Sequence, residues 1–430
     1  MRRDAFSLDS RLKTRLILLV FIQYAVWGAY LISIGRYLAQ TGLGSQIKWF
    51  FAANGIVSLF MPALVGIIAD RYIQAQRLLA ICHALAGAFM LSAGFYCLGA
   101  GQVSFGTLYP LYAMSIVFFM PTVALTNSVS YSIIGRAGGD PVKVYPPIRL
   151  WGTVGFICSM LAVNYISIDG VRMQDSCTQL ILSGFLSLVL CLYSLTLPEC
   201  PTGGARAGRS VAEAMGLKAF RLFGQRHLAV FFVFCILMGS ALQITNGYAN
   251  TFLSSFSANP DLANTFAVRN SNALLSLSQV SETLCFLLVP FCMKRFGIKK
   301  VLLMSMTAWV LRFGLFGIGT PDMPGVLLFI FSCILYGIAF DFFNIAGSLY
   351  VEQNVEGSIR ASAQGLFMMM SNGVGATLGM IGAGSVMDHY VFKAALPDWS
   401  SAWLVFAGYM VVVTLLFAVF FRDSDCKKKS

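Results

Sequence analysis

The chain has 430 residues, of which 57% are hydrophobic and only 11% are charged, and its formal net charge is +12. A soluble domain carries about 25% charged residues, whereas here apolar runs long enough to cross a bilayer recur along the whole length, so the composition excludes a soluble protein. The lysines and arginines stand in short loops, without a basic domain, which argues against nucleic acid as a partner and for a lipid bilayer. The 11 cysteines form no CxxC pair and predict no disulfide framework.

Hydropathy predicts twelve transmembrane helices, and therefore an all-α membrane protein. The predicted spans are residues 15–37, 48–69, 78–99, 107–134, 146–168, 177–197, 228–254, 271–292, 300–319, 325–350, 361–386 and 402–421. The basic start, MRRDAFSLDSRLKTR, precedes an apolar run that is too long for a signal sequence and lacks a small-residue cleavage site. We therefore expect that run to be the first span.

The loop charges predict the orientation of the chain. Of the 30 lysines and arginines, 23 lie on the side of the two termini, 5 lie on the other side, and 2 lie within spans. Positively charged loops stay in the cytoplasm, so we expect both termini there.

The first four spans hold weaker candidates for a polar site. Span one contains Gln23, Trp27 and Tyr30, and span four contains Thr122, Thr126 and Asn127. A substrate site and plain helix packing are equally good interpretations of these two groups. His83 in span three is expected to be a hydrogen-bonded contact between helices.

The loop after span two carries a G-x-x-x-D-R pattern formed by Gly66, Asp70 and Arg71. A basic loop follows span eight at the same place in the second half, with Lys294 where the aspartate would be. This repeat of two six-helix halves is typical of the major facilitator fold. Asp70 and Arg71 are predicted to form gating contacts between helices, without touching substrate.

Span five opens with YPPIRLWGTVGF, in which Arg149, Thr153 and Phe156 share one helix face. An arginine above a hydroxyl and an aromatic ring is typical of a lined cavity. The alternative is that Arg149 reaches the lipid headgroups with its long side chain.

The longest polar connection, residues 198–227, divides the chain into an N-terminal six-helix half, residues 1–197, and a C-terminal six-helix half, residues 228–430. The connection is basic, so it is predicted to be a cytoplasmic central loop. Residues 210–223 have the pattern of a short amphipathic helix on the membrane surface.

Span seven contains LQITNGYANTF, in which the amides of Gln243, Asn246 and Asn250 follow one helix face. Amides in spans often join helices. Three on one face favour a binding site, and an amide suits the donor and acceptor edge of a nucleobase.

Span eight, LLSLSQVSETLCFLLVP, has a polar centre in which Gln279 and Glu282 are three residues apart. An ionised carboxylate at bilayer depth costs on the order of 3 kcal/mol, so Glu282 is expected to face a polar cavity or a cation, or to carry a proton. Arg312 in span nine is expected to be structural or to reach the headgroups.

Span ten contains the second membrane carboxylate, Asp341, next to an aromatic face formed by Tyr336 and Phe340. Asp388, at the outer end of span eleven, is expected to be solvated. No HExxH or phosphate-loop motif occurs, so we expect no metal site and no ATP-driven step.

Five long stretches carry a resemblance to a known family: YPPIRLWGTVGF, LQITNGYANTFL, SLSQVSETL, YGIAFDFFNIAGSLYVE and IRASAQGLFMMM. They closely resemble the nucleoside:proton symporters of the major facilitator superfamily. The resemblance runs from the first span to the last and is weak only at the tails and in parts of the loops. It implies proton-coupled uptake of nucleosides, both purine and pyrimidine, across the bacterial inner membrane by alternating access, with no cofactor and no enzymatic activity.

The resemblance also implies the site. Its substrate-binding positions fall on Arg149, Thr153, Phe156, Gln243, Asn246, Gln279, Glu282, Tyr336 and Phe340. Glu282 and Asp341 are the candidates for proton coupling, with Asp341 favoured. A monomer is expected. Two alternatives stay open: a facilitator of another small polar solute such as a sugar, and a membrane receptor or membrane-embedded enzyme that transports nothing.

Overall fold

The computed structural model describes residues 9–202, 217–356 and 359–421. In chain order its helices are α1 Ser10–Gly28, α2 Ile34–Gln40, α3 Ile47–Arg71, α4 Ala75–Gly99, α5 Phe105–Arg136, α6 Pro141–Tyr165, α7 Thr178–Leu195, α8 Arg226–Ser255, α9 Pro260–Ala263, α10 Phe266–Arg269, α11 Ser271–Ile318, α12 Val326–Asn354, α13 Arg360–Met368, α14 Ala376–Met387 and α15 Trp399–Phe420. Two-residue strands, β1 Ser167–Ile168 and β2 Val171–Arg172, pair antiparallel after α6. Short 3₁₀ turns lie at Gly44–Gln46, Met173–Asp175, Leu217–Gly224 and Phe256–Ala258, and π-helical turns lie at Met369–Gly375 and Asp388–Phe392.

Ten helices in the described ranges are long and apolar enough to cross a membrane. One of them, α11, has 48 residues and turns at Gly297, whose φ of 77° is a conformation that glycine adopts without strain. The predicted eighth and ninth spans are therefore the two parts of α11. The predicted first span is broken between α1 and α2. When α11 is counted twice and the broken span once, the described chain accounts for twelve spans.

Contacts divide the chain into two compact units. Among the residues described, the first contains residues 9–33 and 60–202, and the second contains residues 34–59, 217–356 and 359–421. The second unit thus takes α2 and the first half of α3 from the N-terminal part of the sequence. The predicted boundaries at residues 197 and 228 stay a prediction.

In the first unit, α1 and α6 approach closely because glycines stand at their crossing. A Cβ on Gly28 would lie 2.5 Å from the carbonyl oxygen of Phe156, and a Cβ on Gly155 would lie 2.1 Å from that of Phe21. Small residues allow such contact between helices in a membrane. The crossing places the face of α6 that bears Arg149 and Phe156 next to α1.

In the second unit, α11 and α12 meet at Gly337. A Cβ there would lie 2.4 Å from the carbonyl oxygen of Ser281 and 2.8 Å from the Cβ of Cys285. Ser281 also donates a hydrogen bond to the carbonyl of Ile334 on α12. Glu282 follows Ser281 on α11, and Tyr336 precedes Gly337 on α12. The close packing of the two backbones therefore brings these two residues near each other.

Polar contacts attach residues 34–59 to the rest of the second unit. Arg36 is only 7% exposed and donates to the carbonyl of Val268 at 3.1 Å and to Ser271 Oγ at 3.0 Å. Lys48 pairs with Asp388 at 2.7 Å, and Lys393 pairs with the same carboxylate at 3.2 Å. The expectation that Asp388 is solvated was wrong: it is 7% exposed, because two lysines satisfy its charge.

The described part of the predicted amphipathic segment is the 3₁₀ turn Leu217–Gly224. Its Ala219 and Leu222 are buried, whereas Phe220 and Arg221 are exposed. The stretch thus has one apolar face packed on the second unit, and residues 210–216 of the prediction lie outside the described residues.

The contact at Gly337 predicts an unequal effect of two alanine substitutions. Gly337→Ala places a methyl group against the Ser281 backbone and should cost about 1–3 kcal/mol. Gly314→Ala, also inside a helix but with no atom within 4 Å of the added Cβ, should be neutral or stabilising. The thermal midpoint of the purified protein, followed by size-exclusion chromatography, is the measurement. Equal midpoints for the two variants would contradict the packing argument.

Candidate functional site

The amide of Gln23 is the centre of a buried hydrogen-bond network in the first unit. It donates to Thr122 Oγ1 at 2.8 Å and accepts from Thr126 Oγ1 at 3.0 Å, and it contacts His83 Nε2 at 2.8 Å. His83 Nδ1 in turn contacts Ser187 Oγ at 2.9 Å. The network joins α1, α4, α5 and α7, and all five side chains are at most 2% exposed. The weaker candidates Gln23, Thr122 and Thr126 are thus helix contacts in this structure, as expected for His83.

Arg149 on α6 lies against α1. Its guanidinium carbon is 3.9 Å from the ring centroid of Tyr24, a cation–π contact. Arg149 and Thr153 are half-buried, and Phe156 is 7% exposed. The α6 face predicted from the sequence therefore exists, and its arginine rests on an aromatic ring that the spacing did not indicate.

Four of the predicted residues meet where α11 contacts α12 in the second unit. Tyr336 interacts with the side chain of Gln279 and with the charges of Glu282 and Asp341. Glu282 and Asp341 also interact with each other. Asp341 is 6% exposed, and its Oδ2 has no hydrogen-bond partner within the described ranges. Two neighbouring carboxylates repel each other when both are ionised, so a proton on one of them relieves the repulsion.

Tyr336 and Phe340 form a stacked pair one turn apart on α12. Their ring centroids are 5.7 Å apart and the ring planes differ by 9°. Phe340 also lines a cavity of about 520 Å³ in the second unit. That volume lies within the usual range for small-molecule pockets. The stack thus has one ring inside the protein and one ring at a cavity wide enough for a small polar solute.

The cavity continues from Phe340 along α12 with polar side chains that the sequence analysis missed. Its polar lining residues are Asn344, Ser348, Glu352, Gln364 and Asn372. Ser348 Oγ donates to Gln364 Oε1 at 3.0 Å, and Gln364 Nε2 donates to the carbonyl of Ser348 at 2.7 Å. The lining residues on α12 recur every four positions, at Phe340, Asn344, Ser348 and Glu352. Continuing the helix face of Tyr336 and Phe340 by three turns would therefore have identified Asn344, Ser348 and Glu352 from the sequence.

The amides of α8 separate into two kinds. Asn250 donates to Asn272 Oδ1 at 2.6 Å and accepts from Ser271 Oγ at 2.8 Å, so it joins α8 to the start of α11. Gln243 is half-buried, and its Oε1 has no hydrogen-bond partner in the described part of the chain. Asn246 is 9% exposed. Of the three amides on the predicted face, Asn250, near the C-terminal end of α8, is thus a contact between helices. Gln243 and Asn246 stay site candidates.

The two predicted gating residues lie at the end of α3. The side chain of Asp70 lies outside the described residues, and Arg71 is exposed.

A buried amide on α3, that of Asn54, was not indicated by the sequence, because Asn54 stands alone in an apolar run. It is 1% exposed, and neither amide atom has a partner among the residues described. Within the same residues, no group of three or more His, Cys, Asp or Glu side chains is placed to hold a metal ion.

Comparisons with known proteins agree with this architecture. The chain is 43% identical to the xanthosine permease of Escherichia coli K12 over 96% of its own length and 97% of that protein. It is 42% identical to the nucleoside permease NupG of the same organism, covering 96% of each chain. The crystal structure of nucleoside transporter NupG superposes with a TM-score of 0.87 at 41% identity, over 96% of this chain and 99% of that one.

A more distant structure confirms the fold alone. The D-xylose-proton symporter matches with a TM-score of 0.67 at 15% identity, over 96% of this chain and 98% of that chain. The fold predicted from twelve spans in two six-helix halves is therefore confirmed. The family model described as nucleoside H+ symporter matches residues 10–426. With nearly the whole chain matched by that model and two curated relatives above 40% identity, this protein belongs to the nucleoside H+ symporter family.

Proposed function

We propose that this chain imports nucleosides together with protons across the inner membrane of a bacterium, by alternating access. Membership of the nucleoside H+ symporter family and similarity to permeases named for xanthosine and nucleosides support the substrate class. The observation that carries the proposal is the group of Gln279, Glu282, Tyr336 and Asp341 between α11 and α12. It combines an amide, an aromatic ring and two carboxylates, which together supply base recognition and a place for a proton.

In this proposal the aromatic side chains bind the base. Every nucleobase has a π-face that stacks on an aromatic ring. Phe340 already stacks on Tyr336 and lines the cavity, so its other face is the one that takes the base. Phe156 supplies a further aromatic contact from α6.

Polar side chains then read the base edge and the ribose. Gln243, Asn246 and Gln279 offer both donors and acceptors, and the Oε1 of Gln243 has no hydrogen-bond partner among the residues that the structure describes. Arg149 and Glu282 hold hydroxyl groups through charge-assisted bonds, with Thr153 beside Arg149 on α6. A nucleoside that occupies the site thereby gives the Oε1 of Gln243 a hydrogen-bond donor, and a buried acceptor is costly to leave without one.

Asp341 carries the coupled proton in this proposal, and Glu282 belongs chiefly to the substrate. Asp341 is the more buried of the two, and its Oδ2 has no partner in the part of the chain that is described. An ionised carboxylate in that position is costly, and protonation removes the charge. Because Glu282 lies close enough to repel it, substrate contact with Glu282 changes the cost of ionising Asp341.

Uptake of labelled uridine and adenosine into cells expressing the chain tests the function. We expect accumulation above the external concentration that disappears when a protonophore collapses the gradient. Entry that only equilibrates would identify a facilitator and contradict proton coupling. Absence of nucleoside entry from a correctly inserted protein, with uptake of a sugar or another solute, would contradict the substrate class. Nucleoside binding without flux would identify a receptor.

Substitutions at the two carboxylates test their division of roles. Asp341→Asn should abolish accumulation against a gradient while nucleoside binding and exchange remain, because the amide cannot take up and release the proton. Glu282→Gln should weaken binding by roughly tenfold, the usual size for a charge-assisted hydrogen bond. Binding by calorimetry and uptake in cells are the two measurements. Normal gradient-driven accumulation by Asp341→Asn would remove this residue from the coupling role.

The loop charges predict that both termini are cytoplasmic. A fluorescent protein that folds only in the cytoplasm should be bright at either end, and alkaline phosphatase, which folds only outside, should be inactive there. As a matched control, phosphatase inserted after residue 169, in the predicted outer loop at β1 and β2, should be active. An active phosphatase at either terminus would contradict the orientation.

A further inference from the structure

Arg312 is a fully buried arginine for which neither the predicted site nor the fold accounts. It lies on α11 beyond the turn at Gly297 and is 1% exposed. Of the two roles expected for Arg312, the structural one is confirmed, because an arginine that reaches the headgroups keeps its charged end in water. A buried guanidinium is costly unless its surroundings compensate it.

The guanidinium group contacts both neighbouring spans. Nη1 donates to the carbonyl of Ser332 on α12, and Nη2 donates to Ser278 Oγ at 3.4 Å, on the first part of α11. Ser332 Oγ donates back to the carbonyl of Arg312 at 3.1 Å. These two guanidinium bonds end on neutral oxygens, and a further side-chain hydrogen bond joins Arg312 to Cys333 on α12. The bonds to Ser332 and Ser278 fix the position of the charge without neutralising it.

The fixed charge lies over the ring of Tyr336. The guanidinium carbon is 5.0 Å from the centroid of that ring and 5.3 Å from the centroid of Phe316. The ring of Trp309 packs nearly perpendicular to the same tyrosine in an edge contact, with 6.1 Å between the ring centroids. Tyr336 therefore has Phe340 stacked with it, Trp309 at its edge and Arg312 over its ring. Of these three neighbours only Arg312 is anchored by hydrogen bonds to two other spans.

From this arrangement we infer that Arg312 is a positioning residue for nucleoside binding, which holds the ring of Tyr336, and through it Phe340, in the orientation that takes the base. The inference rests on the proposed function and adds a residue to it that touches no substrate. A guanidinium that is desolvated and anchored attracts an aromatic face more strongly than one in water does. Without it the ring of Tyr336 gains rotamers, and the stack that faces the cavity loses its fixed orientation.

A measurement that needs no nucleoside tests the positioning. With 3-fluorotyrosine at position 336 of the full-length protein, the ¹⁹F spectrum should show one dominant environment. Arg312→Met, which keeps the length and removes the charge, should broaden or split that signal. Phe316→Leu removes the other aromatic partner of Arg312 and should leave the signal unchanged. An unchanged spectrum in Arg312→Met would overturn the inference.

A double-mutant cycle tests the consequence for binding. Arg312→Met should weaken uridine binding by about tenfold in the wild-type background and by less than about twofold in the Tyr336→Leu background, given the size of a buried cation–π contact. Phe316→Leu should bind uridine within about twofold of the wild type, as expected for a residue that does not contact Tyr336. An equal loss in both backgrounds would show that Arg312 does not act through Tyr336.

A second variant, Arg312→Lys, covers the case in which Arg312→Met fails to fold. If Arg312→Met does not fold, Arg312→Lys replaces it, since lysine keeps the charge but lacks the planar fork that reaches two partners. It should give the same spectral broadening in weaker form, and an unchanged spectrum would overturn the inference. If the wild-type protein binds no nucleoside, the proposed function fails, whereas the ¹⁹F comparison still decides whether Arg312 positions Tyr336.

Discussion

The structure depends on one constraint: a polar group inside an apolar bundle must find a partner within the protein. The network around Gln23 and His83 meets the constraint completely, which makes it a junction of four helices. Asp341 Oδ2 and Gln243 Oε1 do not meet it in the described part of the chain. In the proposed mechanism, a proton on Asp341 and a substrate hydroxyl on Gln243 meet the constraint at these two atoms.

Close helix crossings decide where such groups meet. At Gly337 the backbones of α11 and α12 approach closely, so Glu282 and Tyr336 lie near enough to interact electrostatically. At Gly28 and Gly155 the first unit uses the same device to place α6 against α1. The proposed site therefore depends on glycines, because any Cβ at these crossings would separate the helices that bear the candidate residues.

Sequence reasoning predicts the spans well, because a span is a local property: about twenty consecutive apolar residues suffice. It also finds residues that are costly in lipid, which is why Arg149, Glu282 and Asp341 are recognisable before any fold is known. It leaves two roles open for Arg312, because the direction of a long side chain depends on a neighbouring helix. The turn at Gly297 lies in the basic loop expected between the eighth and ninth spans. The break between α1 and α2 was missed, since it occurs inside a run that remains apolar on average.

In the proposed mechanism, transport of a nucleoside is coupled to transport of a proton. The most direct measurement uses sealed liposomes that contain the purified protein and a pH-sensitive dye, with no gradient imposed at the start. Adding uridine outside should acidify the lumen, and Asp341→Asn should abolish the acidification. Entry of labelled uridine without any change in luminal pH would contradict the account.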